Sequence, residues 1–398
     1  MNKDLKHLLP YPFERLRSLL AGTKTPSNSP IPLHIGEPRH PTPRFIIDSL
    51  HKAVPDSLDR YPAMGGSKRL RDAAAKWLER RFSLLAYSVN PENMVIPVNG
   101  TREALFSFCQ AVVDNRETPT VALPNPCYQI YEGAALLSGA QPLYLNCEPE
   151  NRFLPNLDRV TPAQWDKCQL FYLCSPGNPT GAVADRDYMK RVLELSDTHD
   201  FVIASDECYS EIYLDEKAPP VGLLQIAQEQ GREFFQRCVV FQSLSKRSNV
   251  PGLRSGFVAG DPTLLEPYAK YRSYHGCALP LATQIASTLA WEDESHVQSN
   301  RSEYQRKFQA VLPILANSLE VEMPSGAFYL WPKVEKDEET FARNLFEHTH
   351  VSVLPGRYLS RPTEAGDPGI GRVRISLVAK IDVCKEAARR ISEFIKIS

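Results

Sequence analysis

The chain contains 398 residues, of which 42% are hydrophobic and 23% are charged, and its formal net charge at pH 7 is −1. At about 100–200 residues per domain this length predicts two domains, and the composition is ordinary for a soluble globular protein. The near-zero net charge argues against attraction to nucleic acid or to an anionic membrane through overall charge.

The first 45 residues are predicted to form an arm. A short helix within residues 4–20 is interrupted by Pro10 and Pro12, and a proline-rich loop follows at residues 25–30. The N-terminus lacks the apolar core of a signal sequence, and no later run approaches the roughly 20 apolar residues of a membrane span. We therefore expect a cytoplasmic protein that does not bind a membrane.

Two helices are predicted next, at residues 42–54 and 67–82. The second is basic, but no aromatic side chains are interleaved with its cations as they are in a surface that binds nucleic acid. We interpret this basic face as solvated and expect no nucleic-acid partner.

From about residue 93 the pattern becomes strand, loop and helix in repetition. Apolar runs predict strands at 94–98, 120–123, 169–174, 201–205, 238–241 and 256–259. Helical stretches such as 102–113 and 186–198 separate most of these runs. This alternation predicts an α/β fold with a mostly parallel sheet and helices on both of its faces.

After about residue 282 the periodicity changes. A long helical stretch is predicted to run to about Leu319, and short strands follow at 327–331, 351–354 and 372–377, with helices at 338–349 and 381–396. We expect a large domain over residues 46–282. Residues 1–45 and 283–398 are expected to supply the arm and a smaller α+β domain.

The nine cysteines are scattered along the chain, mostly in apolar runs, and none forms a Cys-x-x-Cys pair. This usage is typical of buried, reduced thiols in a cytosolic protein. We predict no metal site and no redox centre.

Polar segments follow several of the apolar runs. They are Asn99–Arg102, Ser175–Gly181, Asp206–Tyr209 and Ser243–Arg254. Ligands of an open parallel sheet bind outside the carboxyl ends of its strands, so these segments are predicted to converge on one crevice.

The last of these segments carries Lys246, the only lysine between Lys217 and Lys270. A lone lysine in a loop is more often a solvated surface residue. In a small-residue loop, however, its amine is also suited to a Schiff base with a carbonyl cofactor. Ser243, Ser245 and Arg254 are suited to hold a phosphate beside it.

The other segments complete a pattern. Gly100, Thr101 and Arg102 open a helix whose backbone N–H groups suit a phosphate. Asp206 at a buried strand end suits a buried cation, and Asn178 and Tyr209 are donors suited to an anionic phenolic oxygen. Tyr128 is suited to stack on an aromatic ring, and Arg374, on an apolar strand, is expected to have a carboxylate partner. Together these parts describe a pyridoxal phosphate site.

The chain resembles fold-type I pyridoxal phosphate enzymes of the class I/II aminotransferase family over nearly its full length. The motifs that carry the resemblance are NGTREAL at 99–105, PNPCY at 124–128, SPGNPTG at 175–181, SDECY at 205–209, SLSKRSNVPGLRSGF at 243–257, PSGAFYLW at 324–331 and RVRISL at 372–377. The resemblance implies a large domain with a seven-stranded, mostly parallel sheet and a smaller α+β domain. It also implies a ping-pong transaminase.

The resemblance also implies roles for individual residues. Lys246 is the Schiff-base lysine and proton carrier, Asp206 keeps the ring nitrogen protonated, and Tyr128 stacks on the ring. Asn178 and Tyr209 bind the phenolic oxygen. The implied phosphate ligands are Gly100, Thr101, Arg102, Ser243, Ser245 and Arg254.

Substrate and subunit contacts follow from the same resemblance. Arg374 is implied to bind the substrate α-carboxylate, with Gly36 nearby. Tyr61 resembles a tyrosine that reaches the phosphate of the neighbouring subunit, so a homodimer with shared active sites is expected. Asn125-Pro126 and Asn178-Pro179 are implied candidates for cis peptide bonds.

The segments around Lys246, at 271–276 and at 10–16 most resemble succinyldiaminopimelate aminotransferases of bacterial lysine synthesis. This predicts an N-succinyl-LL-2,6-diaminopimelate donor and 2-oxoglutarate as acceptor. Residues 276–283 contain no cation, which disfavours a plain aspartate enzyme.

Other functions remain open from the sequence. They are an aminotransferase for aspartate, aromatic or alanine-like substrates, a carbon–sulfur lyase on the same fold, and a transcription regulator with an aminotransferase-like domain. The regulator would need an added DNA-binding module, for which the arm is too short and too rich in proline.

Overall fold

The computed structural model describes residues 1–335 and 337–397. Its strands are β1 Ile31–Pro32, β2 Val95–Val98, β3 Thr120–Asn125, β4 Gln141–Asn146, β5 Cys168–Cys174, β6 Val202–Asp206, β7 Cys238–Ser243, β8 Gly256–Gly260, β9 Tyr329–Leu330, β10 Val351–Ser352, β11 Leu354–Pro355 and β12 Val373–Ser376. Its α-helices are α1 Pro12–Leu20, α2 Arg44–Ala53, α3 Lys68–Arg81, α4 Thr101–Val112, α5 Ile130–Leu137, α6 Pro162–Trp165, α7 Arg186–His199, α8 Leu223–Glu229, α9 Leu244–Arg247, α10 Pro262–His275, α11 Leu281–Glu292, α12 Ser295–Leu315, α13 Glu338–Thr349 and α14 Ile381–Ile397.

Within these described ranges, seven strands form one sheet in the order β2-β8-β7-β6-β5-β3-β4. Strand β8 runs antiparallel to both of its neighbours, and the remaining pairs are parallel. The central strands are buried along nearly their whole length, as expected of a parallel sheet covered on both faces. The predicted α/β sheet is confirmed.

Side chains of each strand alternate between two hydrophobic cores. On β6, Ile203 joins the core that contains side chains of α3, α7, α8 and α11, whereas Ala204 joins the core beneath α4, α5 and α10. This alternation follows from the two-residue period of a strand. The parallel pairing of β5, β6 and β7 brings their carboxyl ends to one edge, where Cys174 pairs in register with Asp206.

Strand β4 is absent from the strands predicted by the sequence. It lies at the edge of the sheet, and the first part of its residues is exposed or half-buried. Its sequence contains Pro142, which an edge strand tolerates because one side of the strand needs no hydrogen bonds. An edge strand therefore lacks the continuous apolar run that marks its neighbours.

A separate core lies between α12, α13, α14 and the short strands of the C-terminal part. Its sheet has the order β11-β12-β9, and β1 of the arm pairs with β10. The predicted long helix to Leu319 is wrong, because it is interrupted at Asp293 and Glu294. Asp293 accepts a hydrogen bond from the backbone of His296 and so stabilises the first turn of α12.

The predicted division at residue 282 stays a prediction. Helix α11 contacts α2 and α3, and Ala286, Ala290 and Trp291 lie in the core of the large sheet. This packing favours a boundary after Glu292.

The peptide bonds of Asn125-Pro126, Ser175-Pro176 and Asn178-Pro179 are cis. The first and third were predicted, and the second was not. In residues 1–335 and 337–397, no helix has both the length and the apolar composition needed to cross a membrane.

Candidate active site

A cavity of about 580 Å³ lies at the carboxyl ends of β5, β6 and β7. It is lined by most of the predicted site residues, namely Gly36, Thr101, Arg102, Tyr128, Asn178, Asp206, Tyr209, Ser243, Ser245, Lys246, Arg254 and Arg374. Gly100 directly precedes this lining. Tyr61 does not line the cavity, and its side chain is 99% exposed. The polar segments therefore meet at one place, as their positions after successive strands predict.

Lys246 lies on α9, a single helical turn that directly follows β7. Its Nζ donates a hydrogen bond of 3.1 Å to the Gly36 carbonyl. Burial of the amine lowers the pKa of Lys246 to about 8, although Cys208 and Glu37 oppose that shift. A substantial fraction of the amine is therefore neutral, and thus nucleophilic, near physiological pH.

The predicted phosphate seat is built from α4, α9 and Arg254. Helix α4 begins after Gly100, and no side chain caps it, so its first backbone N–H groups are available to an anion. A Cβ on Gly100 would lie 2.4 Å from Arg254 Nη2, so only glycine lets the guanidinium approach this closely. Ser243 and Ser245 are buried and line the same cavity.

Asp206 is buried at the end of β6. The Tyr131 hydroxyl donates to its Oδ2 at 2.6 Å, and the Cys208 backbone N–H donates to its Oδ1 at 3.2 Å. Burial raises the pKa of Asp206, although its hydrogen bonds with Cys208 and Tyr131 and the charge of Lys246 oppose that shift. A cationic ligand group facing this carboxylate would offset that desolvation.

Arg374 is buried on β12 and reaches the cavity. Its Nη1 donates to Asn178 Oδ1 at 2.9 Å, and its Nη2 donates to the His34 carbonyl at 2.8 Å. Its Nε is buried and has no hydrogen-bond partner among the described residues. Because Asn178 uses its oxygen for Arg374, its amide N–H groups remain as donors.

Aromatic side chains surround these polar groups. Tyr209 and Tyr329 share a hydrogen bond of 2.8 Å between their hydroxyls, and the Arg374 guanidinium lies 4.7 Å from the centre of the Tyr329 ring. Arg102 Nε donates to the Tyr128 hydroxyl at 2.6 Å, and its Nη2 donates to the Tyr11 hydroxyl at 2.9 Å. The Arg102 side chain is thereby turned towards the arm.

Some lining residues were missed by the sequence reasoning. Examples are Tyr11, Phe13, Glu37, Tyr131, Cys208 and Tyr329. Tyr131 stands three residues after Tyr128, and Tyr329 lies inside the motif PSGAFYLW. Tyrosines are also common in hydrophobic cores, so only the three-dimensional positions of Tyr131 and Tyr329 identify them as residues of the cavity.

The family model for "Aminotransferase class I and II" matches residues 28–391. The chain belongs to this family. The aminotransferase is therefore a pyridoxal phosphate enzyme, as the family's chemistry requires.

The similarity to known proteins covers almost the whole length of the aminotransferase. An LL-diaminopimelate aminotransferase of Maridesulfovibrio salexigens is 31% identical over 98% of this chain and 97% of its own. The crystal structure of an aminotransferase from Neisseria meningitidis Z2491 is 48% identical, with a TM-score of 0.94 and 99% of each chain covered. Aminotransferase AspB of Helicobacter pylori 26695 is 36% identical, with a TM-score of 0.90, over 98% of this chain and 100% of its own.

The cavity of the aminotransferase has the donor set that pyridoxal phosphate needs. The open N-terminus of α4 with Arg254 suits the phosphate, and the buried carboxylate of Asp206 suits a protonated ring nitrogen. The Lys246 amine with a pKa of about 8 suits the aldehyde. The residues present therefore fit the cofactor.

Proposed function

We propose that this aminotransferase moves an amino group from an α-amino donor to a 2-oxo acid, with Lys246 as the proton carrier. The observation that carries the proposal is the buried amine of Lys246, which shares one cavity with Asp206, Arg254 and Arg374. When bound, pyridoxal phosphate supplies an aldehyde that condenses with amines and a ring that delocalises negative charge.

Different residues of the chain are proposed to bind different parts of the cofactor. We propose that the first turn of α4, Ser243, Ser245 and Arg254 bind the phosphate and that Asp206 binds the ring nitrogen. Tyr128 packs on the ring, while the N–H groups of Asn178 and the hydroxyl of Tyr209 donate to the phenolic oxygen. These contacts would orient the cofactor before substrate binds.

Arg374 is proposed to bind the α-carboxylate of the substrate. Its Nε has no hydrogen-bond partner among the described residues, and the Tyr329 ring packs against the guanidinium. This contact would aim the α-carbon at Lys246. Its Nζ then removes the α-proton as a general base and later returns a proton as a general acid. The donor leaves as an oxo acid, and the acceptor leaves as an amino acid.

For the substrate, we propose N-succinyl-LL-2,6-diaminopimelate as the donor and 2-oxoglutarate as the acceptor. The resemblance of the segments around Lys246 and at 10–16 supports this choice, and residues Tyr11 to Phe13 of the arm line the cavity. A second candidate donor is unsuccinylated LL-diaminopimelate. It is favoured by the name of the relative from Maridesulfovibrio salexigens.

We further propose that Arg102 binds a distal carboxylate of the donor, rather than the phosphate that the sequence suggested. Its guanidinium is held by the hydroxyls of Tyr11 and Tyr128, and it is exposed to the cavity instead of being buried beside α9. Arginine suits this role because its planar fork matches a carboxylate. The backbone N–H of the same residue remains in the first turn of α4.

A half-reaction separates the two donors. The purified holoenzyme is mixed, without acceptor, with N-succinyl-LL-2,6-diaminopimelate, LL-diaminopimelate or aspartate, and the absorbance of the bound cofactor is followed. We expect rapid change with the succinylated donor. Equally rapid change with LL-diaminopimelate would favour the second candidate, and change with aspartate alone would overturn both. In a separate mixture with cystathionine, which carries a sulfur leaving group, release of pyruvate without acceptor would indicate a lyase.

The Arg102→Met variant provides the matched comparison. We expect the apparent affinity for the succinylated donor to fall about tenfold, or about 1.4 kcal/mol, while aspartate is affected little. An equal loss with both donors would place Arg102 at the phosphate instead.

A further inference from the structure

A chain of hydrogen-bonded side chains connects α12 with the backbone of Lys246. Lys307 Nζ lies 2.6 Å from His40 Nε2 and donates to the Val378 carbonyl at 3.1 Å. His40 Nδ1 lies 2.6 Å from Asn300 Oδ1. Asn300 Nδ2 donates to the carbonyls of Lys246 at 3.0 Å and Arg247 at 3.2 Å. We call Lys307, His40 and Asn300 the α12 relay.

The hydrogens of the α12 relay fit one arrangement. The Lys307 ammonium is a donor only, so His40 Nε2 must accept and the ring must carry its proton on Nδ1. That proton is donated to Asn300 Oδ1, which leaves both hydrogens of Asn300 Nδ2 for the two backbone carbonyls. Every link then has one donor and one acceptor.

The surroundings of the relay set the protonation states of His40 and Lys307. Burial and the nearby Lys307 charge lower the pKa of His40 to about 4, so the ring stays neutral at physiological pH. Burial lowers the pKa of Lys307 to about 8. The His40 ring also lies 4.4 Å from the Tyr304 ring, centre to centre, and the Lys307 side chain is only 1% exposed. Such a buried polar network is rigid when all its members are satisfied.

The relay reaches Lys246 by a second route. His40 belongs to the segment 34–40, whose Gly36 carbonyl accepts the hydrogen bond from Lys246 Nζ. The His34 carbonyl at the start of this segment accepts from Arg374. Movement of the segment would therefore shift an acceptor of the lysine amine and a support of Arg374 at the same time.

We propose that Lys307, His40 and Asn300 are positioning residues that hold Lys246 and the segment 34–40 at the distance required for proton transfer. This proposal rests on the proposed role of Lys246. None of the three residues lines the cavity, so they act through Lys246 and Gly36 rather than on substrate.

Charged and titratable groups from several elements face the Lys246 amine, and loss of the relay would change the distance of some of them from it. Glu37 stands on the segment 34–40, Asp206 is the last residue of β6 and Cys208 follows it, and Arg254 and Arg374 approach from the loop after α9 and from β12. Loosening the segment moves the Gly36 carbonyl and Glu37 away from the amine. Both favour the protonated form, so we expect its proton affinity to fall.

The test uses the holoenzyme, in which Lys246 Nζ would be joined to the cofactor, and follows the pH at which the absorbance of the bound cofactor changes as that same nitrogen loses its proton. In His40→Leu and Lys307→Met we expect this midpoint to shift to lower pH by about half a unit or more, and kcat to fall about tenfold with KM changed less. His40→Gln keeps one acceptor and one donor, so it should restore values near those of the unmodified enzyme.

Phe308→Leu is the control for loss of stability, because Phe308 is fully buried beside Lys307 on α12 and takes no part in the relay. Asn300→Ala removes only the last link and leaves the Lys307–His40 pair in place, which provides a second variant if the first ones fold poorly. Midpoints and kcat values that move no further than those of Phe308→Leu would overturn the proposal. An unchanged absorbance midpoint in Lys246→Ala would instead overturn the proposed role of Lys246 itself.

Discussion

At the scale of single residues, the surroundings of Asp206 and Lys246 decide the chemistry. Each group is desolvated, and desolvation disfavours the charged form of both. The protein residues alone thus present a carboxylate of raised pKa and an amine of lowered pKa. A cofactor with a cationic ring and an aldehyde is complementary to both.

The hydroxyl of Tyr131 is predicted to support Asp206. Tyr131→Phe removes the hydrogen bond of 2.6 Å to Oδ2. A bond to a charged group contributes roughly 1.5–3 kcal/mol, so we expect kcat/KM to fall about tenfold or more. Tyr172→Phe is the control, because that buried hydroxyl donates to the Leu105 carbonyl instead. Equal losses in the two variants would show that the effect is one of stability.

The lowered pKa of Lys246 predicts its reactivity in protein freed of cofactor. Burial disfavours the ammonium, so the neutral amine appears as pH rises through about 8 rather than 10.5. We expect modification of Lys246 by an amine-specific reagent, read by peptide mass spectrometry, to reach half its maximal rate near pH 8. Exposed Lys270 serves as the internal control. A midpoint for Lys246 near pH 10.5 would contradict the burial argument.

At the scale of elements, the ends of strands and helices place the site. Helix α9 is short, and it is anchored through Arg247, whose guanidinium lies 4.8 Å from the Trp291 ring centre and donates to the Ala290 carbonyl at 2.6 Å. The apolar runs predicted most strands of the sheet, because buried parallel strands are uninterrupted by polar residues. Edge strand β4 and the break between α11 and α12 lack such a signal.

The junction of β2 and α4 gives a prediction at this scale. Gly100 has a φ of 83°, and Gly231, in the turn directly after α8, has a φ of 72°. Gly100→Ala meets Arg254, whereas a Cβ on Gly231 has no atom within 4 Å. Both substitutions carry the same backbone cost of about 1–2 kcal/mol, but only Gly100→Ala should weaken cofactor binding, by about tenfold or more. Equal cofactor affinity, measured by fluorescence titration, would contradict the proposed phosphate seat.

At the scale of the whole molecule, the C-terminal part is fastened to the large sheet beside the cavity. The Cys127 backbone N–H donates to the Leu359 carbonyl at 2.9 Å, and Arg361 pairs with Glu132 of α5 while its backbone N–H donates to Asn125 Oδ1 at 2.8 Å. Leu359 itself lines the cavity. The site therefore needs residues from both parts of the chain.

The exposed Tyr61 gives a prediction for the assembly. Leu58 and Tyr274 are also largely exposed, at 79% and 86%. We expect light scattering to give about twice the mass of 44.8 kDa. In such a dimer Tyr61→Phe should speed loss of cofactor without changing the mass, because it removes only the hydroxyl that is predicted to reach the partner's phosphate. Tyr87→Phe, with a side chain that is 93% exposed, is the control, and a monomer of unimpaired activity would contradict the expectation.

The sequence by itself determined the sheet except its edge strand β4, the cofactor class and the segments that meet around the cofactor, because apolar periodicity and short motifs are local signals. The tertiary structure decided which side chains of those segments share contacts. Tyr131 reaches Asp206 across 75 positions, and Asn300 reaches the Lys246 carbonyl across 54. No local pattern encodes such pairs, since they depend on packing between elements that are distant in the chain. For the same reason, only the tertiary structure shows that the Arg102 side chain turns towards Tyr11 of the arm.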